Sequence, residues 1–160
     1  MIKKYLTIAA FLSSSLFAQD ATLTEKDVPK KVIQSRNKKA AHLKHKTTTW
    51  TKNAAGEYVA ELKIGAGELG PDQSITGRFH ENGTWLETEM VISPYANKLR
   101  KKLLPKNIAA VCLKLVKKSG AEEISGPVTI RDMPGKFTVE AHCGEKRVTF
   151  DKKAKILKEE

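Results

Sequence analysis

Apolar positions along this chain fall into two periods. Ile108, Val111, Cys112 and Leu115 keep the i, i+3, i+4, i+7 spacing of one buried helical stripe, with Pro105 suited to the first turn and Ser119-Gly120 to the stop. Val28, Val32, Ile33, Ala40 and Leu43 make a second, more polar stripe. Elsewhere the period is two: Tyr58, Ala60, Leu62 and Ile64 point one way, and Val59, Glu61 and Lys63 the other. Asn82-Gly83 is a favoured type I′ hairpin turn. Counting outward from it places Phe79 opposite Leu86, Ile75 opposite Met90, Arg78 opposite Glu87 and His80 opposite Trp85. The register sorts Ile75, Phe79, Leu86 and Met90 onto one face, and Arg78, His80, Trp85, Glu87 and Glu89 onto the other. Trp85 is then an aromatic on a charged face.

Three segments recur in the same order. Val28-Pro29-Lys30-Lys31-Val32-Ile33 matches Leu104-Pro105-Lys106-Asn107-Ile108-Ala109, and Gly56-Glu57-Tyr58-Val59-Ala60-Glu61 matches Gly135-Lys136-Phe137-Thr138-Val139-Glu140. Phe79 through Leu86 matches Phe150 through Leu157. The pattern predicts an α+β fold of two tandem helix-plus-antiparallel-strand units, helices on one side of an antiparallel sheet.

Residues 1–18 read as an export signal: Lys3 and Lys4, then an apolar stretch, then serines leading to a small residue at Ala18. The apolar run is short and serine-interrupted for a membrane span, and no other segment reads as transmembrane. Residues 19–26 become an N-terminal linker, 27–93 the first unit and 94–160 the second. The 160 residues carry 29 Lys plus Arg against 18 Asp plus Glu, a formal +11 that becomes +9 without the signal. That excess is spread over 30–46, 98–106, 114–118 and 152–158, with acids expected to be interleaved. Ten aromatic residues, three of them in the signal, are few for a base-stacking surface, and export removes nucleic acid from reach.

These residues resemble the PepSY-like family of exported bacterial proteins, also described as β-lactamase-inhibitor-like. The resemblance rests on Asp27-Val28-Pro29-Lys30-Lys31-Val32 opening a helix, Trp50 on the first strand, and Gly56 through Leu62. It continues through Phe79, Asn82-Gly83, Trp85-Leu86-Glu87 and Glu89, with Ile130 and Ile156 standing in the second copy where the first has tryptophans. It covers roughly residues 25–160. It implies an exported, non-catalytic protein whose helical layer backs an antiparallel sheet; the namesake inhibitors grip a protein partner on the open sheet face. No catalytic residues come with it.

Other chemistry is thin. Gly65-Ala66-Gly67-Glu68-Leu69-Gly70 spells a dinucleotide fingerprint, but Pro71 and a strand-like segment follow where a helix should open, so a hairpin loop explains it. His42 and His45 lack a third ligand nearby and read as solvated. Glu87 and Glu89 pose as paired acids, yet Arg78 opposite Glu87 makes them ordinary strand residues. Cys112 on the helix stripe and Cys143, in line with Phe137, Val139 and Ala141, both aim at the helix–sheet interface and predict a disulfide contributing about 3–4 kcal/mol.

The expectation is therefore a periplasmic or secreted binding module with no enzymatic role, cofactor or metal. Trp85, Arg78, His80, Glu87 and Trp50 would meet an unidentified envelope protein or peptide on the open sheet face, with possible inhibitory action. The competing reading is an electrostatic binder of anionic cell-envelope polymer or lipid.

Overall fold

The computed structural model describes residues 21–40, 47–64, 73–95, 100 and 103–160, with the Thr47 side chain excluded. Nine strands hydrogen-bond in sequence order in one antiparallel sheet. They are β1 (Ala21–Leu23), β2 (Thr47–Lys52), β3 (Tyr58–Ile64), β4 (Gln73–Phe79), β5 (Trp85–Ile92), β6 (Ser125–Met133), β7 (Lys136–Cys143), β8 (Lys146–Asp151) and β9 (Ile156–Glu159). Two α-helices lie wholly among the described residues, α1 (Lys30–Ala40) and α2 (Lys106–Lys118), with a 3-10 turn at Glu25–Asp27 before α1; Arg100 and Leu103 are helical as well.

Both helices cover the same sheet face. Under α1, Val28, Val32, Ala40, Trp50, Tyr58, Ala60, Leu62, Ile75 and Phe79 form one buried cluster. Under α2, Ile108, Cys112 and Val116 pack with Ile92, Val128, Val139, Ala141, Val148 and Phe150 in another. Met90 touches both clusters, so the core is continuous across the middle of the sheet. The expected α2 stripe is present but turned slightly: Val116 joins Ile108 and Cys112 in full burial, while Val111 and Leu115 are half-buried beside them. Val28 packs in the first cluster from just before α1, and Leu43 lies outside the described residues.

The expected pair of tandem helix-plus-strand units is corrected by the sheet itself. Thr88–Ile92 of β5 pairs residue for residue with Val128–Asp132 of β6, straight across the 93/94 boundary. A β5 edge left open would expose a row of unpaired amides and carbonyls, and pairing with β6 satisfies them. The result is one sheet-dominated fold with a single nine-stranded ladder.

The β4–β5 turn differs from the expected two-residue type I′ form. His80 N–H donates to Thr84 O at 2.9 Å and Gly83 N–H to His80 O at 2.9 Å. Only Gly83 has positive φ (+86°), whereas type I′ needs two such residues. Residues 53–57 and 151–155 close in the same way, with Gly56 (φ +77°) and Ala154 (φ +64°) in the left-handed position. The longer loop ends in a bulge. Ile75 faces Met90 and Arg78 faces Glu87 as counted, but Phe79 faces Trp85, which leaves Leu86 as an extra residue.

The Sγ atoms of Cys112 and Cys143 are bonded, joining α2 to β7 with their Cα atoms 5.0 Å apart. The predicted staple is in place.

Candidate functional site

The sheet face opposite the two helices is built from the strand positions that alternate with the core. Thr49 and Thr51 of β2, Thr76 of β4, Thr129 of β6, Thr138 of β7 and Thr149 of β8 lie on it, with charged residues between them. Those charges pair across strands. Arg78 donates to Glu87 Oε2 from Nη2 at 2.6 Å and from Nε at 3.0 Å, and to Glu57 Oε2 from Nη1 at 3.0 Å. Arg131 Nε reaches Glu89 Oε2 at 2.5 Å, and Arg147 Nε reaches Glu140 Oε1 at 3.3 Å. The two candidate paired acids are thus claimed by different arginines.

Local turn chemistry sets the Arg78 clamp. The Asn53 amide donates to Glu57 Oε2 at 2.9 Å, and its Oδ1 accepts the Glu57 and Ala55 N–H groups. The Asn53 hydrogen bond, followed by the Arg78 charge, holds the Glu57 carboxyl below its ordinary value against the effect of burial. The Glu87 hydrogen bond pushes the Arg78 guanidinium up. A face whose charges are satisfied internally offers a partner few free groups.

The tryptophans are elsewhere. Trp50 is 1% exposed, buried under α1 with the Arg36 guanidinium 5.6 Å from its ring centroid. Trp85 packs against the same cluster, donates from Nε1 to Thr88 Oγ1 at 3.0 Å, and carries the Lys39 ammonium 3.2 Å from its ring centroid. The bulge is the cause. One extra residue in β5 turns Trp85 from the Arg78 face to the helix-covered face, reversing the alternation on that side of the strand. Of the five expected contact residues, the structure keeps only Arg78 and Glu87 paired on the open face; Trp50 and Trp85 both pack in the cluster under α1, and His80 is exposed at the turn.

The helix layer has a different character. Lys30, Lys31, Lys38 and Lys39 of α1 and Lys106, Lys114, Lys117 and Lys118 of α2 are all exposed. Neither helix contains an Asp or Glu. The acids expected among these lysines lie outside the helices: Glu25 is paired with Arg36, Asp27 is held by Thr24, and Glu122 and Glu123 follow α2. Along α2, Lys106, Ala110, Leu113, Lys114 and Lys117 lie on the outward stripe, and Leu113 is 41% exposed. Reading each helix as a charge-only string would have found this asymmetry; the count over the whole chain hides it.

A cleft of about 530 Å³ opens beside the β6–β7 and β8–β9 turns, lined by Asp132, Lys136, Phe137, Asp151, Lys152 and Leu157 among others. Asp151 already accepts the backbone N–H groups of Lys153 and Lys155. Among the described residues no three His, Cys, Asp or Glu side chains gather as metal ligands. His42, His45, the Gly65–Gly70 motif and residues 1–18 fall outside the described residues.

No protein-family model matches the chain, and no curated protein matches it. The fold, however, is shared. A DUF2874 family protein from Bacteroides ovatus ATCC 8483 superposes with a TM-score of 0.50 at 14% identity, over 83% of this chain and 86% of that one. A Bacteroides eggerthii DSM 20697 protein provisionally called periplasmic gives a TM-score of 0.48 at 15% identity, over 83% and 88%. At such identities the first likeness is one of fold alone, and the second, at its lower score, carries no argument.

Proposed function

We propose that this chain is an exported, non-catalytic module that attaches to an anionic surface of the cell envelope through its helix layer. The observation that carries this reading is the division of charge: eight exposed lysines and no carboxylate on the two helices, against arginine–carboxylate pairs on the open sheet face. Cations without carboxylate partners on one side attract an anionic surface over about a Debye length, whereas charges neutralised in ion pairs do so far less. Export is supported by the signal-like residues 1–18 and by the Cys112–Cys143 bond, which persists in oxidising compartments. No helix among the described residues is long and apolar enough to cross a membrane.

A second reading keeps the open sheet face as a grip for a protein or peptide, centred on Arg78 between Glu57 and Glu87. The loss of Trp85 and Trp50 from that face removes its aromatic anchors. Co-sedimentation of the chain from Gln19 onward with envelope fragments separates the two readings. Charge reversal of Lys30, Lys38, Lys114 and Lys118 to Glu abolishes low-salt binding under the helix-layer reading, and Arg78→Ala with Glu87→Ala leaves it intact. The opposite result overturns the helix-layer reading in favour of the sheet face.

A further inference from the structure

We infer that the outward stripe of α2 seats the protein on an anionic phospholipid bilayer, with Leu113 entering the boundary between headgroups and acyl chains. This rests on the helix-layer reading above and names its partner. Leu113 lies along one edge of the stripe, 41% exposed, with Lys106 seven residues before it and Lys117 four residues after it on the same side of the helix. At 1.5 Å per residue those flanking lysines stand roughly 10 Å and 6 Å along the axis from Leu113. A soluble anionic polymer would need only the cations, and an exposed leucine among them would add nothing to a solvated contact. A bilayer uses both kinds of group. The leucine reaches hydrocarbon, while the lysine stems lie along the apolar boundary and return their ammonium groups to the lipid phosphates. Ala110, small and exposed on the same stripe, lets the helix backbone approach the surface.

The opposite side of α2 explains why this helix can be pressed on a membrane without leaving the fold. Ile108, Cys112 and Val116 are each 0% exposed, and Cys112, the residue before Leu113, is bonded to Cys143 of β7. The helix is a rigid plate fixed to the sheet, and only its preformed outer stripe meets lipid. Binding then needs no unfolding and leaves the sheet side turned away from the membrane.

The test uses the chain from Gln19 onward and vesicles of phosphatidylcholine alone or with 30 mol% phosphatidylglycerol, with inorganic polyphosphate as the soluble anionic polymer. The inference expects binding to the phosphatidylglycerol vesicles only, and about five-fold weaker binding for each of Lys106→Gln and Lys117→Gln. Leu113→Gln weakens binding to vesicles about five-fold and leaves binding to polyphosphate unchanged. In a Leu113→Trp variant, the new indole shifts to the blue and is quenched by brominated acyl chains beyond the background of Trp50 and Trp85. Vesicle binding that survives Leu113→Gln with an unquenched indole, or polyphosphate binding as tight as vesicle binding, overturns the lipid seat while leaving the electrostatic reading standing. Binding to neither probe overturns both.

Discussion

At Gly83 two demands meet. Its φ is +86°, and a Cβ there would lie 2.7 Å from the carbonyl oxygen of Lys31 in the first turn of α1. Gly120 has nearly the same backbone (φ +77°), but a Cβ there meets nothing within 4 Å among the described residues. The left-handed conformation costs an L-residue about 1–2 kcal/mol. Gly120→Ala should therefore cost about that much, and Gly83→Ala at least about 1 kcal/mol more, in denaturant unfolding. Equal losses would mean that the β4–β5 tip does not press on α1. Glu57 makes a second prediction at this scale. Its folded pKa is depressed, chiefly by the Asn53 amide, so its contribution to stability is complete above the ordinary glutamate value of 4.5. That contribution is lost as pH falls through the lowered folded value. Glu57→Gln should flatten the acid limb of a plot of urea midpoint against pH. Asp27, held low by Thr24, and Glu160, held low by Lys158, leave a residual slope of the same sign.

Among the elements, α2 is the one bound covalently to its neighbour. The Cys112–Cys143 bridge spans 31 residues, and in the chain-entropy model its reduction should lower stability by about 3–4 kcal/mol, read as a lower urea midpoint with a steeper slope, because the freed denatured chain exposes more surface. This element was legible in advance because helical period and strand parity each aim a cysteine at one interface. The strands and most of their parity were legible for the same reason, since alternation between Tyr58 and Ile64 carries the sheet face with it. Trp85 was not. Asn82-Gly83 suits both a two-residue turn and the longer turn that ends in a bulge, and the dipeptide alone does not choose between them. One inserted residue then reversed the face of the side chain on which the expected site was centred. The joining of β5 to β6 was hidden likewise, because repeated local patterns say which strands form and not whether their edges remain open.

Across the whole molecule, Met90 links the two buried clusters and the β5–β6 ladder runs between them. Unfolding should therefore be a single transition, with far- and near-ultraviolet circular dichroism superimposing and calorimetric and van't Hoff enthalpies agreeing. Two resolved steps would mean that each helix holds its own part of the sheet. The same unity gives the bridge a mechanical meaning. Under tension applied at the chain ends, the 31-residue separation between Cys112 and Cys143 is shielded, including β6 and nearly all of β7. At about 3.3–3.6 Å per extended residue, roughly 100 Å of contour stays locked even after the sheet has torn. A protein held at an envelope surface by α2 would keep that helix tethered to β7 under load, and reduction alone would let the hidden length run out.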